Sequence, residues 1–212
     1  MKQKYKDYSK KFIILLFSLS FFVGFFLREN IAGGAEQDFL RYTWPVILAF
    51  KENFLFTILN YGSYGEGSLP LFHIINAYLN PFSENKILFQ ASVTLISILN
   101  VIFFSEIIEK KYNLRKLDCF VYSSIFLLLP FFRSSAFWGL TENFGWLFLI
   151  LSIKYFIQFE KKETKDRKIS VFFICLFSSL ALYTRPYLIF FPIFIMIRSF
   201  VFKDFYMFKH AA

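Results

Sequence analysis

Cysteine and histidine are scarce in this sequence, with two residues of each among 212. The cysteines, Cys119 and Cys175, lie in or beside apolar stretches and form no CxxC or Cys/His cluster. The sequence therefore supports neither a disulfide framework nor a thiolate metal site. We expect both cysteines to behave as small buried hydrophobic residues.

The sequence also lacks a basic stripe interleaved with exposed aromatic residues, which a nucleic-acid-binding surface would need. Its net charge of +9 comes mostly from short basic clusters that flank apolar stretches. Such clusters are typical of membrane proteins, whose cytoplasmic loops are enriched in Lys and Arg. We therefore expect membrane lipids, and no nucleic acid, as partners.

Apolar residues make up 57% of the sequence and aromatic residues 23%, with 34 Phe in total. A soluble domain usually contains about 45–50% apolar residues, and the excess here falls in blocks long enough to cross a bilayer. These blocks predict an all-α polytopic bundle with about six membrane-spanning helices in a single transmembrane domain. The predicted spans are 12–27, 87–104, 119–132, 140–159, 169–183 and 186–202.

The first apolar block has a second interpretation as a signal peptide, because Gly33 and Ala35 supply small residues near a possible cleavage point. Residues 12–27 are uncharged throughout, which is long for the apolar region of a signal peptide, and further spans follow. We therefore favour an uncleaved first helix.

Residues 28–86 contain no clean span and are interrupted by glycines and prolines. A helical spacing nevertheless places six of their side chains on one face. These are Phe39, Thr43, Val46, Ile47, Phe50 and Phe54. With Trp44 suited to the headgroup level, this segment predicts a large loop with short amphipathic helices lying on the membrane surface.

The distribution of positive charge predicts the orientation of the chain in the membrane. The N-terminal segment and the loops at 105–118 and 158–168 together hold fourteen Lys and Arg, whereas the alternate segments hold six. Because basic residues are retained on the cytoplasmic side, we expect a multi-pass protein of the cell membrane. Both termini would be cytoplasmic, and the loop at 28–86 would face outward.

Three outward-facing segments then carry the polar residues of interest. Carboxylates and guanidinium groups on one membrane face suit an enzyme that acts on a lipid-linked anionic substrate, since a carboxylate can activate a hydroxyl and a guanidinium can hold a phosphate. The candidate catalytic residues are Asp38 and Glu142. The candidate substrate-binding residues are Glu36, Arg41, Glu66, His73, Arg133 and Arg185.

Several of these candidates also have a purely structural interpretation. Asp38 follows a glycine pair and could cap a helix, and Glu66 could be a solvated turn residue. His73 could be a packed histidine in an apolar helix, and Arg133 could extend from the end of a span toward the interface. Glu142 is the hardest to explain structurally, because an ionisable residue at the start of a span is usually functional.

Four short motifs occur in a recognisable order along the chain. They are Glu36-Gln37-Asp38, Pro70-Leu71 ahead of Phe72, Thr141-Glu142-Asn143, and Tyr183-Thr184-Arg185-Pro186. Their order resembles that of the GT-C membrane glycosyltransferases, in particular the protein O-mannosyltransferase and lipid A aminoarabinose transferase branch. The resemblance covers roughly residues 12–195, although each motif is short.

The resemblance implies the N-terminal portion of a GT-C fold and an inverting transfer of a sugar from a polyprenyl-phosphate-linked donor to an acceptor hydroxyl. Asp38 would be the general base, Glu142 would assist at the acceptor or a metal, and Arg185 would neutralise phosphate. The two acids of the first motif are separated by Gln37, and the later acid is Glu rather than Asp. These departures leave open the sugar, the acceptor (a glycan, lipid or protein) and the use of a divalent metal ion.

Two further alternatives concern the size of the chain and the class of its function. Members of the GT-C family are generally longer, so we expect a fragment of a longer protein or a minimal relative. A multi-spanning transporter, or a polysaccharide export component without transferase chemistry, is the rival function. Transporters place ionisable residues near the bilayer midplane, whereas the candidates here lie at the outer edge.

Overall fold

The structure, a computed structural model, describes residues 2–31, 33–65, 67–161 and 164–201. Their regular structure is entirely helical, and these residues contain no β-strand. The predicted all-α class is therefore confirmed for the part of the chain that is described.

Three helices are long and apolar enough to cross a membrane. The helices are α1 (Lys2–Phe26), α6 (Lys86–Tyr112) and α10 (Thr164–Thr184). They correspond to the predicted spans at 12–27, 87–104 and 169–183. Many of their large apolar side chains are exposed, among them Leu15, Leu95 and Phe172, as expected of helices that face lipid.

The predicted span at 119–132 is bent rather than straight. It consists of α7 (Lys116–Ser124), a 3₁₀ turn (Ile125–Leu128) and α8 (Pro130–Trp138), with an angle of 72° at the break. Leu129 is extended at the break, with φ −70° and ψ 124°, because a residue that precedes proline is pushed out of the helical region. The pair is a broken span or a re-entrant segment, and it raises the number of candidate crossings to four.

The two other predicted spans are helical but do not qualify as crossings. Helix α9 (Glu142–Lys161) is 20 residues long, yet its charged and amide side chains exclude it from the apolar candidates. The last apolar block forms a 3₁₀ turn (Pro186–Ile189) and the short helix α11 (Phe190–Val201). The structure thus supports three to four crossings among the described residues, and about six is not confirmed.

The segment at 28–86 folds into short helices that pack on the long ones. They are α2 (Ala35–Asp38), a π-helical turn (Phe39–Thr43), α3 (Trp44–Glu52), α4 (Phe54–Leu59), a 3₁₀ turn (Tyr61–Tyr64) and α5 (Leu71–Tyr78). Five of the six side chains predicted on one face are buried, and Phe54 is 41% exposed. The face belongs to the protein core.

Trp44 also lies in this core, and its predicted place at the headgroup level stays a prediction. The residue is 6% exposed, and its ring centroid lies 5.4 Å from that of Phe89 on α6. The ring of Phe89 also lies against Gly139, where an added Cβ would stand 2.7 Å from Phe89 Cε1. Gly139 has φ +65°, so glycine is required there both for space and for backbone conformation.

Ion pairs attach α9 to its neighbours and explain how this less apolar helix is accommodated. Lys154 on α9 lies 2.6 Å from Glu106 on α6, and its ammonium is 4.8 Å from the ring centroid of Phe103. The Lys154 side chain is 17% exposed. A charge in such a position is stabilised by its partner and becomes costly when that partner is removed.

The Lys154–Glu106 pair generates a test of this packing. Glu106→Gln should destabilise the folded protein by about 1–3 kcal/mol, a range reduced from that of fully buried pairs because Glu106 is about one-third exposed. The double variant Glu106→Gln/Lys154→Met should recover most of that loss, because no unpaired charge remains. Thermal unfolding in detergent measures both.

Glu84→Gln is the matched control, since Glu84 pairs with Lys51 at 2.8 Å on an exposed surface. That variant should leave the unfolding midpoint unchanged. A double variant no more stable than Glu106→Gln would show that the pair is not what holds α9 to α6.

Candidate functional site

A polar cavity of about 240 Å³ lies where the segment at 28–86 meets the start of α9 and the end of α10. Its lining comes from three parts of the chain that are far apart in sequence. The lining residues are Asp38, Tyr42, Thr43, Gly65, Gly67, Leu140 and Arg185. The structure therefore brings the candidate carboxylate Asp38 and the candidate cation Arg185 to one cavity.

Asp38 is placed by an interruption in the helix that carries it. Helix α2 ends at Asp38 and continues through the π-helical turn into α3. The Asp38 side chain makes no capping hydrogen bond within this described segment, so the alternative interpretation of Asp38 as a helix cap is wrong. A π-helical turn changes the register of the side chains that follow, and such turns are frequent at functional sites.

Arg185 is placed by the proline that follows it. It comes directly after α10 and has an extended backbone, with φ −141° and ψ 110°, as expected before Pro186. Its guanidinium forms an ion pair with the carboxylate of Glu142, in the first turn of α9. The candidate residues Glu142, in α9, and Arg185, directly after α10, are thus in direct contact.

Gly145 allows this close approach. A Cβ at Gly145 would stand 2.9 Å from Leu188 Cδ1 and 3.5 Å from Arg185 Cβ and Cγ. A larger side chain there would push the Arg185 segment away from the first turn of α9. The position of the Glu142–Arg185 pair therefore depends on a small residue one turn further along the same helix.

Several buried polar atoms at this junction have no hydrogen-bond partner in the described protein. They are His73 Nε2, Thr141 Oγ1, Glu142 Oε2 and Arg185 Nε. Buried polar atoms in folded proteins are nearly always paired, so a group of them beside a cavity points to a binding site. Two further unpaired atoms, Asn100 Oδ1 and Asn143 Oδ1, belong to a buried amide cluster around Ser97.

His73 lies on α5 and is completely buried. Its Nδ1 is 3.1 Å from the Tyr61 hydroxyl, and the ring of the adjacent Phe72 packs 4.9 Å from Phe144 on α9. Burial, and then the positive charge of Arg185, lower the pKa of His73 from 6.5 to about 3. The imidazole is therefore neutral near physiological pH and acts as a hydrogen-bonding group, not as a cation.

Arg133 is buried away from the cavity and is engaged by protein groups. Its Nε lies 2.8 Å from Glu29 Oε2, and its Nη1 and Nη2 lie 3.0 Å from the Ser20 hydroxyl and carbonyl. Nη1 also donates to the Leu127 carbonyl at 3.2 Å. The side chain thus joins α1 to the bend between α7 and α8, and it is not among the described residues that line the cavity.

The remaining predicted residues contribute less to the site. Glu36 on α2 and Arg41 in the π-helical turn are exposed, and neither is among the described residues that line the cavity. Glu66 lies outside the described residues. Sequence reasoning missed Tyr42 and Thr43 as lining residues, because Thr43 was assigned to the apolar face and Tyr42 carried no distinguishing signal.

A divalent metal ion at or around the polar cavity would need ligands from the protein. Among the described residues, no three His, Cys, Asp or Glu side chains are grouped so that they could hold a metal ion. At the cavity, Glu142 is engaged by Arg185, which leaves Asp38 as the available carboxylate among the residues that the structure describes there. The described residues alone therefore do not form a metal site, and the use of a divalent metal ion stays a prediction.

A second cavity has a different character. It measures about 310 Å³ and is lined by residues of α10 and α11, among them Ile174, Cys175 and Ile195. The described side chains that line it include no charged group. It therefore does not supply the acid–base or anion-binding groups that the first cavity offers.

Comparison of the chain with protein-family models, with curated protein sequences and with solved structures finds no match in any of the three. The geometry of the polar cavity and its charges is therefore the basis on which a function is argued.

The role of Arg133 leads to a test by substitution. Arg133→Gln should lower the free energy of unfolding by about 3–5 kcal/mol, because it leaves Glu29 without its cation and two backbone carbonyls without donors. Arg41→Gln removes an exposed guanidinium and should leave stability unchanged within about 0.5 kcal/mol. Unfolding in detergent with denaturant measures both. Equal stability of the two variants would return Arg133 to the list of candidate binding residues.

Proposed function

We propose that this chain is part of a membrane glycosyltransferase of the GT-C type. It would transfer a sugar from a polyprenyl-phosphate-linked donor to an acceptor hydroxyl at the outer membrane face. The observation that carries the proposal is the shared cavity, whose lining includes both Asp38, a carboxylate from the first loop, and Arg185. The motifs that resemble the GT-C family include both residues.

The proposal includes six crossings with both termini in the cytoplasm. The bent α7–α8 pair counts as one crossing, and α9 and α11 are added to the three apolar helices. The pairing of Lys154 with Glu106 and of Glu142 with Arg185 supports the insertion of α9, because paired charges on facing helices are tolerated in a membrane. The charge asymmetry of fourteen to six supports the orientation.

The chemistry follows from the types of group at the cavity. The Asp38 carboxylate takes the proton of an acceptor hydroxyl as its oxygen forms a bond to the anomeric carbon of the sugar. The bond from that carbon to the phosphate oxygen breaks, and the negative charge that remains on the phosphate is stabilised by Arg185. Attack from the side opposite the phosphate inverts the configuration of the anomeric carbon.

Transport is the second candidate function, and one observation favours it. The Lys154–Glu106 pair lies on the candidate span Lys86–Tyr112 and the adjacent α9, and ionisable pairs within spans often mark the pathways of transported ions. The two functions differ in the residues they require. Sugar transfer depends on Asp38, whereas transport through the bundle would depend on Lys154 and Glu106.

Asp38→Asn is the sharpest test of the proposed chemistry. The amide keeps the size of the side chain and lacks a basic oxygen near neutral pH, so sugar transfer should fall by about 10²- to 10⁴-fold. Transfer is measured with the full-length protein and a radiolabelled polyprenyl-phosphate-linked sugar, and expression and membrane insertion should remain normal. Glu142→Gln should give a similar or milder loss.

The control for this experiment is Glu52→Gln, which changes an exposed carboxylate at the end of α3 and should leave transfer unchanged. Retained transfer in Asp38→Asn would remove Asp38 as the base and direct attention to Glu36. If Asp38→Asn and Glu142→Gln are both fully active, and Lys154→Met abolishes uptake of a substrate, the transport function replaces the transferase.

A further inference from the structure

The Glu142–Arg185 pair has the features of an anion site that is filled by a side chain of the protein itself. We infer that Arg185, Thr141 and His73 form a binding site for a phosphate-type oxyanion, and that the ligand binds by displacing the Glu142 carboxylate from Arg185. This inference concerns the site of the proposed function and rests on it for the origin of the phosphate.

The unpaired atoms indicate that Glu142 and Arg185 can each accept a further hydrogen-bond partner besides one another. Glu142 satisfies part of the Arg185 guanidinium, yet Glu142 Oε2 and Arg185 Nε both remain without a partner. The two side chains are part-exposed, but these two atoms are buried, and the buried groups of a purely structural ion pair are normally hydrogen-bonded as well. A guanidinium that keeps a buried donor unused is suited to a second oxyanion.

Thr141 and the start of α9 contribute further donors. The Thr141 carbonyl accepts the first hydrogen bond of the helix, from the Gly145 amide at 3.1 Å, so Thr141 stands at the N-terminus of a 20-residue helix. Its side chain is fully buried, and its hydroxyl is unpaired. The N-terminus of a helix favours negative charge, and Glu142 stands in the first turn of this helix.

His73 supplies a neutral donor. When the Tyr61 hydroxyl donates to His73 Nδ1, the imidazole proton is on Nε2, which is the unpaired buried atom. Because the ring is neutral, it donates to an oxyanion without adding charge.

The inventory of unpaired atoms then describes the ligand. Arg185 Nε and Thr141 Oγ1 are donors, His73 Nε2 is a donor in the tautomer that accepts from Tyr61, and Glu142 Oε2 is an acceptor. A tetrahedral phosphate offers several anionic oxygens to such donors, whereas one carboxylate offers two. Once displaced, Glu142 can accept a hydrogen bond from a hydroxyl group of the same ligand. The shared chemistry is a phosphate group, free in solution or carried by a lipid.

Displacement of Glu142 by the ligand predicts a change in phosphate affinity that a purely structural ion pair would not produce. If Glu142 competes with the ligand for Arg185, Glu142→Gln should bind inorganic phosphate about tenfold more tightly than the unmodified chain, because the competing charge is gone. Thr141→Val, which keeps the shape of the side chain, should weaken binding about threefold or more. Arg185→Gln should abolish binding. Isothermal titration of the full chain in detergent measures all three affinities.

Arg115→Gln serves as the matched control. Arg115 also pairs with two carboxylates, those of Asp118 and Asp7. It follows the C-terminal end of α6 and is not part of the proposed site, so phosphate affinity should not change. Near-UV circular dichroism checks the folding of each variant. If Glu142→Gln does not fold, Glu142→Asp replaces it in the test. The shorter side chain reaches Arg185 less well, so phosphate should again bind more tightly than to the unmodified chain.

Unchanged or weaker phosphate binding in folded Glu142→Gln, or full affinity in Thr141→Val, would overturn the inference. Geranyl phosphate provides the second arm. If geranyl phosphate binds more tightly than inorganic phosphate and ranks the variants in the same order of affinity, the ligand is a lipid-borne phosphate. If the two probes bind equally, the ligand is a free phosphate. If the variants bind phosphate as expected but no sugar transfer is detected, the proposed function is removed and this site is kept. If sugar transfer is detected but Glu142→Gln binds phosphate with unaltered affinity, the proposed function is kept and this site is removed.

Discussion

Buried charge in an apolar helical bundle must be paired, and this constraint determines how the present helices are arranged. Arg133 is held by Glu29 and by backbone carbonyls of α1 and of the bend before α8. Glu106 holds Lys154, and Arg185 holds Glu142. Each pair joins segments that are distant in sequence, so the charges fix tertiary neighbours that apolar contacts alone would leave interchangeable.

The three pairs are not equivalent, and the difference separates structure from function. The guanidinium of Arg133 is engaged on all its nitrogens. The Glu142–Arg185 pair, in contrast, keeps one unpaired buried atom on each partner and lies beside a polar cavity. A satisfied pair stabilises a fold, whereas a partly satisfied pair at a cavity can exchange partners with a ligand.

Hydrophobic block length could predict α1, α6 and α10, because each is an uninterrupted apolar helix. The bend at Leu129 was missed, although Pro130 was its signal, since hydropathy does not register the loss of a backbone donor. The predicted topology groups Asp38 with Arg185, and the structure places both in the lining of one cavity. The π-helical turn after Asp38 and the inward position of Arg133 could not be predicted, because both depend on contacts with residues remote in sequence.

The central claim is that the first loop and the later helices enclose one polar cavity, and cross-linking tests it most directly. Tyr42 and Leu140 both line the cavity, which places them within about 10 Å of one another in a pocket of this size. In a Cys119→Ala/Cys175→Ala background, cysteines at 42 and 140 should be joined efficiently by a short bifunctional thiol reagent. A 42/168 pair should not be joined, since Lys168 is in the first turns of α10, far along that helix from Arg185. Absence of the 42/140 cross-link, or equal yields from both pairs, would contradict the account.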